Sequence, residues 1–196
     1  MLFMNTLIFY AHPDTGGHSF EILQEAEKKL KDNKVSYKLY DLYRMNYDPI
    51  LNEKELYTSG GKEVSDVNVK IQKEISKAEN LVFIYPIWWG GMPAILKGFF
   101  DRILTSGFAF RYVTGKLAPE KLLKGKKATV FLSSGGPKIY YTIFGNRAKK
   151  NIARDILAFC GIQTKVLQLF NAGKLKESKT SKIQNSVNRG MKNIIK

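Results

Sequence analysis

Both histidines of the chain, His12 and His18, fall in one stretch, residues 12–19, HPDTGGHS. Its glycine pair stands just ahead of a helical pattern for which Ser19 is the expected N-cap. The backbone N–H groups of a helix's first turn and the helix dipole together make an anion site. The spacing is neither GxGxxG nor that of a Walker loop, which argues against a Rossmann dinucleotide site and an ATPase and leaves the phosphate of some other cofactor. A second stretch, residues 85–91, YPIWWGG, sets two tryptophans side by side. Successive strand side chains point to opposite faces, so Trp88 and Trp89 cannot share one core. Gly90 and Gly91 let the backbone approach a ligand closely. A third loop, residues 133–137, SSGGP, is again polar and glycine-rich. The one cysteine, Cys160, beside Phe159 in an apolar helical segment, reads as a small buried hydrophobe, and no residue is assigned to a metal.

The elements that must position these loops alternate along the chain. Residues 6–11, TLIFYA, form a continuous apolar run of strand length, as a strand buried on both faces requires. Phe20, Leu23, Ala26 and Leu30 then share a helical face. Val35, Tyr37 and Leu39 alternate with polar residues and predict a second strand near the sheet edge. Residues 41–61 are irregular, with Pro49 and the Gly60, Gly61 pair as breakers, and form an excursion over the surface or a lid. Val67, Ile71, Ile75 and Ala78 return to helical spacing and lead into a strand over 81–85. Pro93, favoured at the first helical position, opens a helix whose Ile95, Leu96, Phe99, Phe100, Ile103 and Leu104 are apolar over much of its circumference. That helix is expected to be deeply packed or to meet another subunit. A strand over 128–132, a helix over 146–159 stopped by Gly161, and a strand over 166–170 follow. The tail from Lys174 predicts a weak terminal helix with a solvated face.

Strands alternating with helices five times specify an α/β protein with an open parallel sheet and helices on both faces, and for five strands the common order, expected here, is 2-1-3-4-5. In such sheets ligands bind beyond the carboxyl ends of the strands, where the order reverses between strands 1 and 3. HPDTGGHS follows strand 1 and PIWWGG follows strand 3, so the two least ordinary loops flank that point. A glycine loop beside an aromatic loop suits a ligand with a phosphate at one end and a flat ring at the other, which describes a flavin.

Composition sets the frame. At 196 residues, 44% hydrophobic and 25% charged, residues 1–196 read as a single globular domain able to bury roughly 70% of its unfolded surface. One cysteine excludes an internal disulfide and fits a reducing compartment. No apolar run reaches the roughly 18 residues of a membrane span. The N-terminus lacks signal-peptide features, and a cytoplasmic protein is expected. The net charge of +15 is uneven: residues 1–115 hold 14 basic and 14 acidic residues, and residues 116–196 hold 18 and 3. The tail over 174–196 has no interleaved stacking aromatics and no nucleic-acid module is recognisable, so no nucleic-acid partner is assigned. The surplus suits a solvated lysine-rich surface, a field that attracts phosphorylated ligands, or docking on an acidic protein partner.

The run YPIWWGGMPAILKGFFDR, followed by GFAFRY, resembles the signature of the flavodoxin-like NAD(P)H quinone reductases. The likeness extends from TLIFYAHP through DLY at 41–43 and the SSGG loop to FCG at 159–161, most of the chain. It implies a flavodoxin-like three-layer fold, a homodimer and a non-covalent FMN or FAD. It implies further that His12, His18, Ser19 and Phe20 surround the flavin phosphate and ribityl chain. Pro86, Ile87, Trp88, Trp89 and Gly90 would hold the isoalloxazine ring, with Trp89 the tryptophan expected to face it. Ser133, Ser134, Gly135 and Gly136 would close the other side. Tyr140 or Tyr141 would lie at the ring's polar edge, and Phe110 and Tyr112 would reach into the neighbouring subunit's substrate pocket. The implied reaction is ping-pong: a reduced nicotinamide passes hydride to the flavin N5, leaves, and a quinone takes two electrons in the same space. The chain departs from the mammalian-type pattern of a tyrosine paired with a histidine, because residues 140–146, YYTIFGN, contain no histidine. Any proton relay must use Tyr140, Tyr141 or water, and a tyrosine of pKa about 10 is a better donor than base near neutrality.

Two other roles fit the same resemblance. Some relatives are regulatory subunits of potassium efflux systems. A flavodoxin-type electron carrier is the third reading, although such carriers are usually acidic and lack the PIWWGGMPAILKG segment. FMN is favoured over FAD because no adenine-binding extension is evident beyond what residues 41–61 could cover. NADPH is favoured over NADH because a basic field attracts the extra phosphate.

Overall fold

The computed structural model of the chain describes residues 5–56, 63–172 and 177–195. Strand β1 (Thr6–Tyr10) leads into helix α1 (His18–Asp32) and strand β2 (Tyr37–Asp41). Helix α2 (Asp66–Lys77), strand β3 (Asn80–Pro86) and helix α3 (Ala94–Ile103) follow. A two-stranded antiparallel excursion, β4 (Phe110–Arg111) and β5 (Glu120–Lys121), precedes strand β6 (Lys127–Ser133). Helix α4 (Lys138–Ile143) and helix α5 (Arg147–Lys150) come next, α5 running on into a π-helical stretch, Asn151–Leu157. Strand β7 (Gln163–Leu169) and helix α6 (Glu177–Met191) end the described chain.

The main sheet has the order β2-β1-β3-β6-β7 with every pairing parallel, which is 2-1-3-4-5 when only its own strands are counted. Its side chains divide cleanly. Leu7, Phe9, Leu81, Phe83, Val130 and Leu132 face the layer of α2, α3 and the 147–157 helix. Ile8, Tyr10, Val82, Ile84 and Phe131 face α1 and α6. β1 and β3 are buried along their whole length, which is why they read as unbroken apolar runs. Each fully buried side chain of this size contributes about 1.5–3 kcal/mol of transfer free energy.

Three expectations are corrected. The terminal helix has the expected solvated face but is not weak: Ile183, Val187, Met191 and Ile194 are buried against the sheet, completing one of its two helical layers. Pro93 is the N-cap of α3 and not its first residue, with an extended ψ of 145°. β7 begins at Gln163, earlier than its apolar stretch, because backbone pairing with Lys127 and Ala128 extends through polar residues at the sheet edge.

The described part of the 41–61 segment is an excursion packed against α3. The Arg102 guanidinium holds Glu55 at 2.9 Å, with both side chains almost wholly buried, and also pairs with Asp48 at 3.1 Å. Gly98 allows the approach, since a Cβ there would stand 2.1 Å from the Pro49 carbonyl oxygen. The Gly60, Gly61 pair lies outside the described residues.

Candidate active site

Beyond the carboxyl ends of β1, β3 and β6 lies a cavity of about 490 Å³. Its first wall is the loop after β1. His12 Nδ1 lies 3.0 Å from both the Asp14 N–H and the Asp14 carbonyl oxygen, which holds the imidazole against the loop backbone. The Gly16 N–H donates to Asp14 Oδ1 at 3.1 Å, and the Tyr10 hydroxyl donates to the Asp14 carbonyl at 3.2 Å. These bonds shape the loop before any ligand arrives, an Asx-type turn stabilised from the strand below.

The N-cap of α1 is Gly17, and Ser19 is corrected to the second helical residue. Ser19 is buried and its Oγ lies 2.9 Å from Ser133 Oγ, which ties the start of α1 to the end of β6. With no capping side chain at Gly17, the positive end of α1 opens into the cavity through backbone N–H groups. His18 is buried beside it and also lines the cavity.

The second wall is the loop after β3. The Trp88 N–H donates to the Gly91 carbonyl at 3.0 Å and the Gly91 N–H to the Trp88 carbonyl at 2.9 Å. The two residues between have φ of +49° (Trp89) and +76° (Gly90), the left-handed pair that a type I′ turn requires. Glycine takes this conformation freely. A tryptophan there is uncommon, and such backbone strain clusters at functional sites. The turn throws the two indoles apart. Trp88 stays against His12, ring centroids 5.8 Å apart, and lines the cavity with Pro86 and Ile87. Trp89 is fully exposed and lines a neighbouring cavity of the same volume. Trp88 is therefore the indole beside the anion loop, and Trp89 is the one that lines the neighbouring cavity.

The third wall is the loop after β6. The Ile87 N–H donates to the Ser133 carbonyl at 2.7 Å, fixing this loop to the tryptophan loop. Ser134 donates to the Leu169 carbonyl and receives a hydrogen bond from Gln168 Nε2 at 2.9 Å. The other end of Gln168 accepts from the Asn146 side chain, whose Oδ1 caps α5 by accepting from the Lys149 N–H. Ser133, Ser134 and Gly135 line the first cavity.

The neighbouring cavity is aromatic. Trp89, Tyr140, Tyr141 and Phe144 line it with Gly90 and Arg147. Tyr140 packs edge-on against Tyr141 at 5.3 Å and at a tilt against Phe144 at 5.0 Å. Gly136 supports this wall, since a Cβ there would touch the Tyr141 ring at 3.4 Å.

Sequence reasoning and structure thus agree on bringing together His12, His18, Ser19, Pro86, Ile87, Trp88, Ser133, Ser134 and Gly135 in one cavity. Trp89, Gly90, Tyr140 and Tyr141 meet in the other. Phe20 packs into the α1 core and lines neither cavity. Phe110 and Tyr112 pack on each other at 5.6 Å, and Phe110 also packs on Phe159, outside both cavities. Asp14, Gly17, Asn146, Arg147 and Gln168 were not singled out in the sequence. Only Asp14 and Gly17, inside HPDTGGHS, carried a local signal. Cys160 is buried, which pushes its thiol up to about 11 and keeps it protonated near neutrality.

The comparisons point one way. Residues 4–192 match the protein family described as having a flavodoxin-like fold. A protein of Haemophilus influenzae named as an uncharacterized NAD(P)H oxidoreductase is 34% identical over 186 residues, covering 91% of this chain and 89% of that one. The NAD(P)H dehydrogenase [quinone] 1 of Cavia porcellus is 29% identical, covering 83% of this chain, which spans 66% of that protein's length. Among solved structures, an NAD(P)H:quinone oxidoreductase from Methanothermobacter marburgensis superimposes with a TM-score of 0.82 at 27% identity, covering 97% of this chain and 96% of that one. A family match from residue 4 to residue 192 takes in the whole sheet and every loop that builds the two cavities, and the chain belongs to the flavodoxin-like family.

Proposed function

We propose that this protein is a flavin-dependent NAD(P)H:quinone oxidoreductase whose residues 1–196 form one FMN-binding domain. The observation that carries the proposal is the first cavity: an uncapped helix start at one end, Trp88 at the other, at the point where the strand order reverses. Its volume lies within the range of about 300–1,000 Å³ typical of small-molecule sites. Two of its lining residues, Gly17 and Gly135, would carry a Cβ that meets no protein atom within 4 Å, so a side chain at either would occupy space now left for a ligand. The relatives described above are named for oxidoreductases, and not for carriers or regulatory subunits.

Bound in this site, FMN would supply two-electron chemistry, taking hydride from NAD(P)H and giving it to a quinone. The chain's residues do the rest. The α1 start and the Ser19, Ser133 pair hold the phosphate and ribityl hydroxyls with donors already oriented. His12 and His18 would lie beside the phosphate and ribityl chain, and the backbone from Pro86 to Gly90 would bound the ring. Trp89, Tyr140 and Tyr141 wall off water over its exposed side. Tyr140 or Tyr141 gives a proton to the quinone oxygen from its hydroxyl. No described residue of the 41–56 segment lines either cavity, which supports FMN over FAD. The basic surplus favours NADPH as donor.

Phe110 and Tyr112, outside both cavities of their own chain, would complete the partner's second cavity in a homodimer. No described helix is long and apolar enough to cross a membrane, and we place the enzyme in the cytoplasm.

The test is flavin binding with a variant that leaves the fold alone. Gly17 is extended (φ −127°) and its side-chain position is empty, so Gly17→Glu should fold normally and set a carboxylate where the phosphate belongs. The wild type should purify yellow or gain thermal stability on adding FMN, and Gly17→Glu should lose that binding by more than tenfold at an unchanged apoprotein Tm. A colourless wild type that neither binds FMN nor is stabilised by it would overturn the proposal.

A further inference from the structure

The second cavity contains a group that a neutral quinone does not need. Four aromatic rings line it, enough to sandwich any flat acceptor, and beside them stands one charged side chain, Arg147. None of the lining residues is acidic. Among the described residues Arg147 forms no ion pair, like Arg154 and Arg189 and unlike Arg44, Arg102 and Arg111. The start of its helix is fixed from behind, and its exposed side chain stands at the cavity's rim. Asn146, immediately before it, caps α5 and is held by Gln168, which also bonds Ser134 at the rim of the first cavity. A guanidinium so placed presents a planar fork of donors that matches a carboxylate or sulfonate bidentately, and it stacks on aromatic faces.

We propose that this cavity selects flat electron acceptors carrying an anionic substituent, a carboxylate or sulfonate on the ring system, and that Arg147 is the specificity-determining residue. The proposal rests on the quinone-reductase reading of the site. The reaction balances as quinone plus NAD(P)H plus a proton giving hydroquinone plus NAD(P)+. Arg147 moves neither electrons nor protons: it holds the substituent while the ring lies between the aromatic walls.

Two experiments separate this proposal from the reading beneath it. In the flavin-loaded protein, KM is measured for 1,4-naphthoquinone-2-sulfonate and for neutral 2-methyl-1,4-naphthoquinone in the wild type, Arg147→Gln and Arg147→Lys. The ratio of sulfonate to neutral KM should rise about tenfold in Arg147→Gln, the loss expected for one hydrogen-bonded charge pair, and by less than threefold in Arg147→Lys. An unchanged ratio overturns the proposal. So does a change confined to the KM for NADPH relative to NADH, because the anion recognised would then be the nucleotide's.

In the protein as purified, with no electron donor, 2-naphthalenesulfonate and 2-naphthol are titrated and followed by tryptophan fluorescence; the chain's two tryptophans are Trp88 and Trp89. The sulfonate should bind about tenfold tighter than the naphthol in the wild type and equally in Arg147→Gln. Equal affinities in the wild type overturn the proposal. Arg147-dependent sulfonate binding in a protein that oxidises no NAD(P)H would support the anion site and sink the quinone-reductase reading.

Discussion

Tyr85 carries a hydroxyl that is buried just below the tryptophan loop and has no hydrogen-bond partner among the described residues. Burial drives its pKa upward, so it stays a neutral phenol in the apolar core. An unsatisfied buried hydroxyl costs about 1–3 kcal/mol, and Tyr85→Phe should therefore leave stability unchanged or raise it by up to about 1 kcal/mol, read by urea denaturation. A loss above about 1 kcal/mol would mean that the hydroxyl has a partner in solution. At this scale the sequence was legible where function is written in residue type: histidines and glycines in one loop, serines and glycines in another. The division of labour between Trp88 and Trp89 was not legible, because it depends on a left-handed backbone at Trp89 that no residue-type rule predicts. Nor was the bond chain from Ser134 through Gln168 to Asn146, whose members stand 34 and 22 residues apart.

Helix α6 shows how an element can hide. Its apolar residues Ile183, Val187 and Met191 recur every fourth position but are separated by polar residues, Gln184, Asn185, Ser186, Asn188 and Arg189 among them, so the run looks weak in the sequence although it forms a buried stripe against the sheet. Gly190 makes that seating close: a Cβ there would lie 2.4 Å from the Phe131 ring and 3.1 Å from Leu167. Gly190→Ala should lift the helix and cost about 1–3 kcal/mol, lowering Tm by several degrees. A Tm within one degree of wild type would show that α6 is loosely held.

Helix α2 is fastened to the edge strand by a polar cluster, in which Lys38 Nζ and the Tyr40 hydroxyl both donate to the Glu74 carboxylate. Burial alone would raise the Glu74 pKa, but the bonds from Lys38 and Tyr40 outweigh it and hold the carboxyl below its ordinary value of 4.5. A carboxyl whose pKa is lowered in the folded state stabilises above its unfolded pKa, and that contribution is lost as pH falls through the folded value. Glu74→Gln should thus be less stable than wild type at neutral pH, with the difference shrinking below about pH 4.5. A difference independent of pH would assign the loss to packing alone.

Across the whole molecule, the five alternations of strand and helix pointed to the common five-strand order that the sheet adopts, and that order pointed to the cavity at its reversal point. Continuous apolar runs at 6–11 and 81–85 could only be the paired central strands, so the loops leaving them had to flank the reversal point. What the order could not supply was the charge geometry. The basic surplus of residues 116–196 is a property of composition, yet the cation that lines the second cavity, Arg147, is placed by a cap and a side-chain relay. The central claim joins both cavities in one catalytic cycle, and rapid mixing of the FMN-loaded protein with NADPH without oxygen tests it most directly. The flavin absorbance should bleach, and a second mixing with 2-methyl-1,4-naphthoquinone should restore it fully in one two-electron phase. A flavin that NADPH and NADH both fail to bleach, or that the quinone fails to restore, would contradict the assignment.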